Sequence, residues 1–287
     1  MFASRSVVQT LMGCAALMLA VVPSQAGSQP SQAGSQREFS DGFDAKTFVD
    51  LLQRDRSRWT HFQSTFPQNK ADVVFDQHQS GDSAVKFFAI ASTSVVSKAD
   101  IEKEGFDMRA GQEVQVSAWF FIPPDVDLTN LFLIDIECKT CWPVNSVFPD
   151  KSPGIRLKLR DRDGTPVVER RKIGLPDMRN ALRTDGALPR GRWFKLAWNL
   201  TLQADDTGTA EIQIDDQPVF RSEGATFPNP NAFKKWGIEL RDTLYDRFQV
   251  GITANSSSNP IELFVDTVSF KAGSCSPEEN SSCPRPE

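Results

Sequence analysis

Three short stretches carry side chains in patterns that can do chemistry. In Leu133-Ile-Asp-Ile-Glu137, Asp135 and Glu137 are two residues apart, so a β-strand would place both carboxylates on one face and Ile134 and Ile136 on the other. Two carboxylates facing one cleft are what retaining glycoside hydrolysis requires, one as nucleophile and one as acid/base. The plainer alternative is a strand that ends in a solvated acidic edge. In the second stretch Arg156, Lys158 and Arg160 alternate with Ile155, Leu157 and Leu159, a row of cations spaced about 7 Å apart. Such a row suits the carboxylates of an acidic polysaccharide, and a guanidinium can grip a carboxylate with two parallel hydrogen bonds. Arg170, Arg171 and Lys172 answer from the returning strand, and a solvated charged face balanced by Asp161, Asp163 and Glu169 is the alternative. The third stretch, Tyr245-Asp-Arg-Phe-Gln-Val-Gly-Ile-Thr253, holds the chain's single tyrosine together with Gln249. β-Elimination from a uronate needs cations on the carboxylate, a base for the C5 proton and an acid for the departing oxygen. For that reaction Tyr245 or His78 is the candidate base, with Arg156 and Arg160 as neutralisers.

Tryptophans supply flat apolar surfaces on which sugar rings stack, and Trp119 and Trp193 both fall opposite the apolar row of their own strand. Trp142 and Trp236 sit beside loops. For each alone, packing is the plainer reading, and two on one open face would instead make a platform. Beyond Cys14 four cysteines remain, and their spacing pairs Cys138 with Cys141 and Cys275 with Cys283 as disulfides. The Cys138-Lys-Thr-Cys141 pair has two other readings, a redox motif and half of a zinc site. Zinc would need further ligands, and His61 and His78 are the only histidines, without companion spacing. No metal or cofactor is expected.

Strands must position these groups. The clearest run is 191–220, where Phe194, Leu196, Trp198 and Leu200 alternate with Trp193, Lys195, Ala197 and Asn199. A polar turn and a second alternating strand follow, reversing at Asp215-Asp216-Gln217-Pro218, which makes a β-meander. Further strands are expected near 39–43, 71–77, 84–91, 113–122, 130–137, 154–160, 166–172, 246–255 and 261–271. The Asp161-Arg162-Asp163-Gly164 turn joins two of them as a hairpin. Helical spacing over 45–54 and a helical turn over 175–182 supply one or two short helices. The class is all-β, a two-sheet antiparallel sandwich of jelly-roll type.

The first 26 residues read as an export signal, with Arg5, an apolar run over 11–22 and Ser24-Gln25-Ala26 before the cut. That run is about twelve residues, short of the ~20 that span a bilayer. Ala33 is the alternative cleavage position. Residues 27–37, with SQAGSQ twice across 24–36, read as a disordered tether, 38–272 as the sandwich, and 273–287 as a tail holding the second disulfide. The formal net charge is -5, and removal of the leader takes away only one further cation, Arg5. Such a balance argues against a general nucleic-acid binder. A monomer without a membrane span, periplasmic or secreted, is expected.

In order along the chain, Phe39-Ser-Asp-Gly-Phe43, Ser80-Gly-Asp-Ser-Ala-Val-Lys-Phe87, 112–122, the meander, Gln249-Val-Gly-Ile-Thr253 and Leu263-Phe-Val-Asp-Thr-Val268 resemble the strands of the concanavalin A-like lectin/glucanase superfamily. Its heparin-, glucuronan- and alginate-lyase-like jelly rolls are the nearest in pattern. The resemblance implies a sandwich that engages polysaccharide. Asp135 and Glu137 are similar to the later two carboxylates of the family-16 glycoside hydrolase strand, with Leu133 at the nucleophile position. The 245–253 stretch is similar to the alginate-lyase strand, with Gln249 at the lysine and Thr253 at the catalytic tyrosine. A threonine hydroxyl does not replace a phenol whose pKa lies near 10. The expected function is therefore binding of an anionic polysaccharide, with a lyase acting on a uronate-containing glycan as the alternative and a structural envelope protein as a third class.

Overall fold

The computed structural model describes residues 37–53, 55, 57–139, 141, 152–182, 187–234, 237–240 and 243–274. Its strands are β1 (Glu38–Asp41), β2 (His61–Ser64), β3 (Lys70–Val74), β4 (Ala84–Ala89), β5 (Ser97–Met108), β6 (Gln112–Phe121), β7 (Leu131–Glu137), β8 (Gly154–Leu159), β9 (Pro166–Glu169), β10 (Trp193–Thr201), β11 (Thr209–Ile214), β12 (Gln217–Glu223), β13 (Tyr245–Asn255) and β14 (Ile261–Ser274). They form two antiparallel sheets. One runs β12-β11-β10-β6-β14-β4-β3 with β1 added beside β14, and the other runs β2-β5-β13-β7-β8-β9. The fold is an all-β sandwich, the jelly roll expected from the sequence.

Strand alternation builds the core. Val116, Ala118 and Phe120 of β6, Phe194, Leu196 and Trp198 of β10 and Val265, Val268 and Phe270 of β14 point inward from the eight-stranded sheet. Ile134 and Ile136 of β7, Ile155 and Leu157 of β8 and Phe248, Val250 and Ile252 of β13 meet them from the six-stranded sheet. The two layers lock where Phe248 stacks on Phe270 at 4.7 Å, with Phe39 and Trp59 packed edge-on beside them. Truncating a ring buried like this costs about 3–5 kcal/mol.

The turns follow local chemistry. Asp215 and Asp216 both adopt positive φ (49° and 61°), the pair required by the tight hairpin turn between β11 and β12. Pro218 is tolerated because β12 is an edge strand. The helix expected over 45–54 is reduced to a 3-10 turn, Phe48–Leu51, and no helix forms over 175–182, where Met178 bridges to Val168 instead. A short α-helix spans Pro230–Lys234. Two strands were not foreseen, β2 and the long β5. In β5 one face is Lys98, Asp100, Glu102 and Glu104, so the segment is too charged for its alternation to register as a strand. No helix among the described residues is long and apolar enough to cross a membrane.

Candidate functional site

The outward face of the six-stranded sheet gathers all three chemical stretches. Antiparallel register sets His61, Glu102, Gln249, Asp135, Arg156 and Glu169 opposite one another in a single row across β2, β5, β13, β7, β8 and β9. On one side of this row lies Glu104–Arg247–Glu137–Gly154, and on the other Gln63–Asp100–Gly251. Gly154 is required here, because a Cβ would lie 2.7 Å from the Ile136 carbonyl oxygen and 2.9 Å from Cγ of Glu137. Asp135, Glu137, Arg156, Gln249, Arg247 and Asp100 are all buried.

Buried charges persist only when paired and hydrogen-bonded, and most of these are. Arg247 donates to Glu102 at 2.7 Å, to Glu104 at 2.6 Å and to Asp246 at 2.7 Å. Arg156 Nε donates to Glu169 at 2.8 Å and its guanidinium lies 4.4 Å from the Phe132 ring centroid. Lys172 reaches back to Glu137. Gln249 donates to Glu102 at 2.9 Å while its own oxygen accepts from Lys98 Nζ at 3.2 Å. Thr253 donates to Asp135 at 2.7 Å.

Asp100 stands apart. Both of its carboxylate oxygens and one of Asp135 lack hydrogen-bond partners among the described residues, and the nearest cation to Asp100 is Lys98 at 3.7 Å. Burial, only partly offset by Lys98, pushes the Asp100 carboxyl up to about 8, and burial opposed by Arg156 raises Asp135. Glu137 goes the other way. Its burial is outweighed by Lys172 and Lys98, which hold it at about 2.

At the β8 end the face opens into a cleft of about 510 Å³, lined by Phe132, Lys158, Arg171, Asp177 and Arg179 among others. Lys158 Nζ lies 5.4 Å from the Phe132 centroid, and burial lowers its pKa. Arg171 Nε donates to Glu169 at 2.7 Å yet keeps most of its side chain in solvent, and Arg179 pairs at 3.5 Å with Asp177. Three cations and one carboxylate thus surround the cleft, while the Phe132 ring beneath them is only 4% exposed and is faced by Arg156 and Lys158.

The residues expected to share one groove divide between two surfaces. Arg156, Lys158 and Gln249 lie on the six-stranded face. Trp119 and Trp193 lie on the outward face of the eight-stranded sheet, opposite Lys195 and Phe121 respectively, because β6 and β10 belong to that sheet. His78 is exposed on the loop joining β3 and β4, next to Gln79, whose N–H donates to Asp266 of that same sheet. Tyr245, expected as a base, is fully buried against Phe227, its hydroxyl donates to the Thr226 carbonyl at 3.0 Å, and burial raises its pKa well above the ordinary value. A phenol held this way meets no substrate. Arg160 lies past the end of β8, exposed, and pairs with Asp161 at 3.2 Å. Arg170, expected on the returning strand, instead follows it and donates to the Pro176 and Ala225 carbonyls. Cys138 and Cys141 are bonded. Cys275, Cys283, Trp142 and Trp236 lie outside the described residues.

Sequence reading missed Lys98, Asp100, Glu102 and Arg247. The signal was present as charges at every second position from 98 to 104. His61, Glu102 and Glu104 bring possible metal-ligand atoms within 4.8 Å of one another, but the Arg247 guanidinium already bonds both carboxylates, so a cation would have to displace it.

No family model matches the sequence, and no curated protein matches it. Solved structures do. Endo-β-1,4-glucuronan lyase from Trichoderma reesei is similar at TM-score 0.58 and 13% identity, over 82% of this chain and 95% of that one. The two chains share the two-sheet jelly-roll fold. A cellulose-induced protein, Cip1, is similar at TM-score 0.53 and 13% identity, over 81% and 96% of the two chains. Alginate lyase Aly36B is similar at TM-score 0.51 and 9% identity, over 83% and 97%. The jelly roll accounts for the similarity of the strand order, while at these identities the site residues have to be read from this chain.

Proposed function

We propose that this protein is exported, to the periplasm or beyond, and binds an acidic polysaccharide across the outward face of its six-stranded sheet. The observation that carries the proposal is the cleft in which Lys158, Arg171 and Arg179 surround Phe132. The exposed guanidinium groups of Arg171 and Arg179, with Lys158 beside them, can take the carboxylates of the glycan. Arg156 and Gln249 lie inward of the cleft and are buried, Arg156 held by Glu169 and Gln249 by Glu102 and Lys98, so they fix the floor beneath the exposed cations. The apolar leader and the Cys138–Cys141 disulfide support export. The test is calorimetry of the mature protein with alginate, glucuronan and a heparin-like glycan against a neutral glucan. The expected result is preference for an acidic glycan, affinity that falls with salt because exposed charges are screened over about 10 Å at 0.1 M, and a loss of about tenfold or more, about 1.4 kcal/mol, in a Lys158→Ala/Arg171→Ala variant. Equal affinity for the neutral glucan, unchanged in that variant, overturns it.

One observation favours a second reading, β-elimination. Lys98 brings an ammonium to Gln249, and Asp100 beside it has oxygens bonded to no other described residue and a carboxyl raised to about 8. A group titrating there can exchange a proton near neutral pH, but Asp100 is as buried as Tyr245, so elimination would require the neighbouring Lys98 and Gln249 side chains to move aside. Cleavage would create an unsaturated uronate that absorbs in the ultraviolet. We expect no sustained rise in that absorbance. A rise abolished by Asp100→Asn would establish the lyase in its place.

A further inference from the structure

We propose that Asp177 sets the specificity of the Phe132 cleft, so that it takes a polyuronate, with free hydroxyls beside each carboxylate, and turns away a densely sulfated glycan. The proposal rests on the reading of that cleft as the acidic-glycan site and names which acidic glycan it takes. Backbone register puts Asp177 there. Met178 and Val168 of β9 exchange both N–H···O=C bonds, at 2.9 and 3.2 Å, as an antiparallel bridge. The chain on either side of Met178 therefore runs along β9, with Asp177 beside Glu169 and Arg179 beside Val167. Because β9 sets Glu169 opposite Arg156 and Val167 opposite Lys158, Asp177 continues the Arg156 row and Arg179 the Lys158 row. Met178 is buried, and alternation turns its two neighbours outward into the cleft. The Leu182 N–H donates to the Val219 carbonyl of β12 at 2.9 Å, so the segment is tied to both sheets and Asp177 has a fixed place.

The charges of the cleft are not equivalent. Arg171 is engaged by Glu169 at 2.7 Å and Arg179 by Asp177 at 3.5 Å, whereas Lys158 makes no ion pair with a described residue. Charge-assisted hydrogen bonds close to about 2.7–2.9 Å, so the wider Arg179 contact leaves Asp177 with lone pairs to spare. An ionised carboxylate only accepts. What Asp177 can hold in a ligand is therefore a hydroxyl, and a sulfate at the same place is repelled. The Asp177 side chain is 12% exposed against 69% for Arg171 and 65% for Arg179, so solvent and salt screen its field least. A uronate ring carries both groups the cleft can serve, one carboxylate for Lys158 and hydroxyls for Asp177. Where sulfates replace those hydroxyls, the acceptor loses its donors and meets like charge.

The test is titration calorimetry of the protein at fixed ionic strength with a glucuronan oligosaccharide, with heparin and with heparin chemically stripped of its sulfates. The unaltered protein should bind the desulfated heparin at least about threefold more tightly than heparin, the reverse of what net charge alone dictates. In Asp177→Asn, affinity for heparin should rise about tenfold while affinity for glucuronan falls about threefold, so that the order of the two heparins inverts. Asp177→Glu, which keeps the charge, should keep the original order, and thermal melts confirm that each variant is folded. Tighter binding of heparin than of its desulfated form by the unaltered protein overturns the proposal, whether or not any variant folds. So does an Asp177→Asn variant in which all three glycans gain by one factor, as removal of a general surface charge would produce. Either outcome leaves the cleft standing as the acidic-glycan site if Lys158→Ala/Arg171→Ala still weakens glucuronan binding. Glucuronan affinity untouched by that double substitution overturns the site itself, and the selectivity with it.

Discussion

The outward faces of the two sheets are built by the same alternation, yet they handle charge differently. On the six-stranded face the ionised groups are buried and interlocked, with Arg247 among Glu102, Glu104 and Asp246, Arg156 on Glu169, and Lys172 on Glu137. On the eight-stranded face the ion pairs are more open, as with Arg221, 64% exposed, on Glu211. Long strands such as β5 and β13, paired over nearly their whole length, let charged rows stack closely enough to exclude water. A buried network fixes the positions of its members, whereas exposed pairs leave side chains free to move. The difference suits the first face to holding a ligand of one geometry and the second to a more tolerant contact.

The largest expected effect tests the buried network directly. Arg247→Ala would leave Glu102, Glu104 and Asp246 without their shared cation. Removing one partner of a buried ionic cluster costs about 3–5 kcal/mol. Urea denaturation should show that loss, while Arg221→Ala on the other face should cost about 1 kcal/mol or less. Similar losses for the two would erase the distinction between the faces.

Next in size is the pH dependence carried by Asp100 and Glu137, whose shifts have opposite signs. The Asp100 carboxyl titrates at about 8 in the folded protein against 3.8 for the free group. Below 3.8 both states hold the proton and nothing is lost. Between the two values only the unfolded chain releases it, so stability falls as pH rises toward 8. Asp100→Asn should therefore be neutral near pH 4 and stabilising by about 1–3 kcal/mol at pH 8, or several degrees in Tm. Glu137 is held at about 2, below its ordinary 4.5, so its contribution is present above 4.5 and lost as pH falls toward 2. Glu137→Gln should destabilise at pH 7 and converge with the parent near pH 2. A pH-independent difference for both variants would mean that neither carboxylate titrates as its surroundings dictate.

Much of this was legible in the sequence. The meander of β10, β11 and β12, the inward rows of β6 and β14, and the alternation of β7, β8 and β13 each depend on period-2 spacing within one strand, and apolar residues mark that clearly. Which strands become neighbours does not depend on local spacing. Thus Trp119 and Arg156 each pointed outward as expected, yet they point outward from different sheets. Tyr245 precedes a register shift between β13 and β5, and such an irregularity turns a side chain in a way alternation cannot forecast. Asp100 and Glu102 were hidden because a strand whose outward row is fully charged looks like a solvated loop until the partners that bury it are known.

The smallest expected effect concerns Arg160, and it separates sequence spacing from structural position. By alternation alone Arg160 is the third cation of a row with Arg156 and Lys158, and removing it would weaken acidic-glycan binding as much as removing Lys158. In the fold β8 ends at Leu159, Arg160 is 49% exposed beside Asp161, and it does not line the Phe132 cleft. Its pair is of the surface kind, worth about 0–1 kcal/mol. Arg160→Ala should therefore change acidic-glycan affinity by less than about twofold, equivalent to about 0.4 kcal/mol, and shift Tm by at most a degree or two. Titration calorimetry of Arg160→Ala and Lys158→Ala with the same acidic glycan compares them directly. Equal losses would show that the ligand follows the extended cation row out past the strand end, and the binding surface would then be drawn along the β8–β9 hairpin in place of the Phe132 cleft.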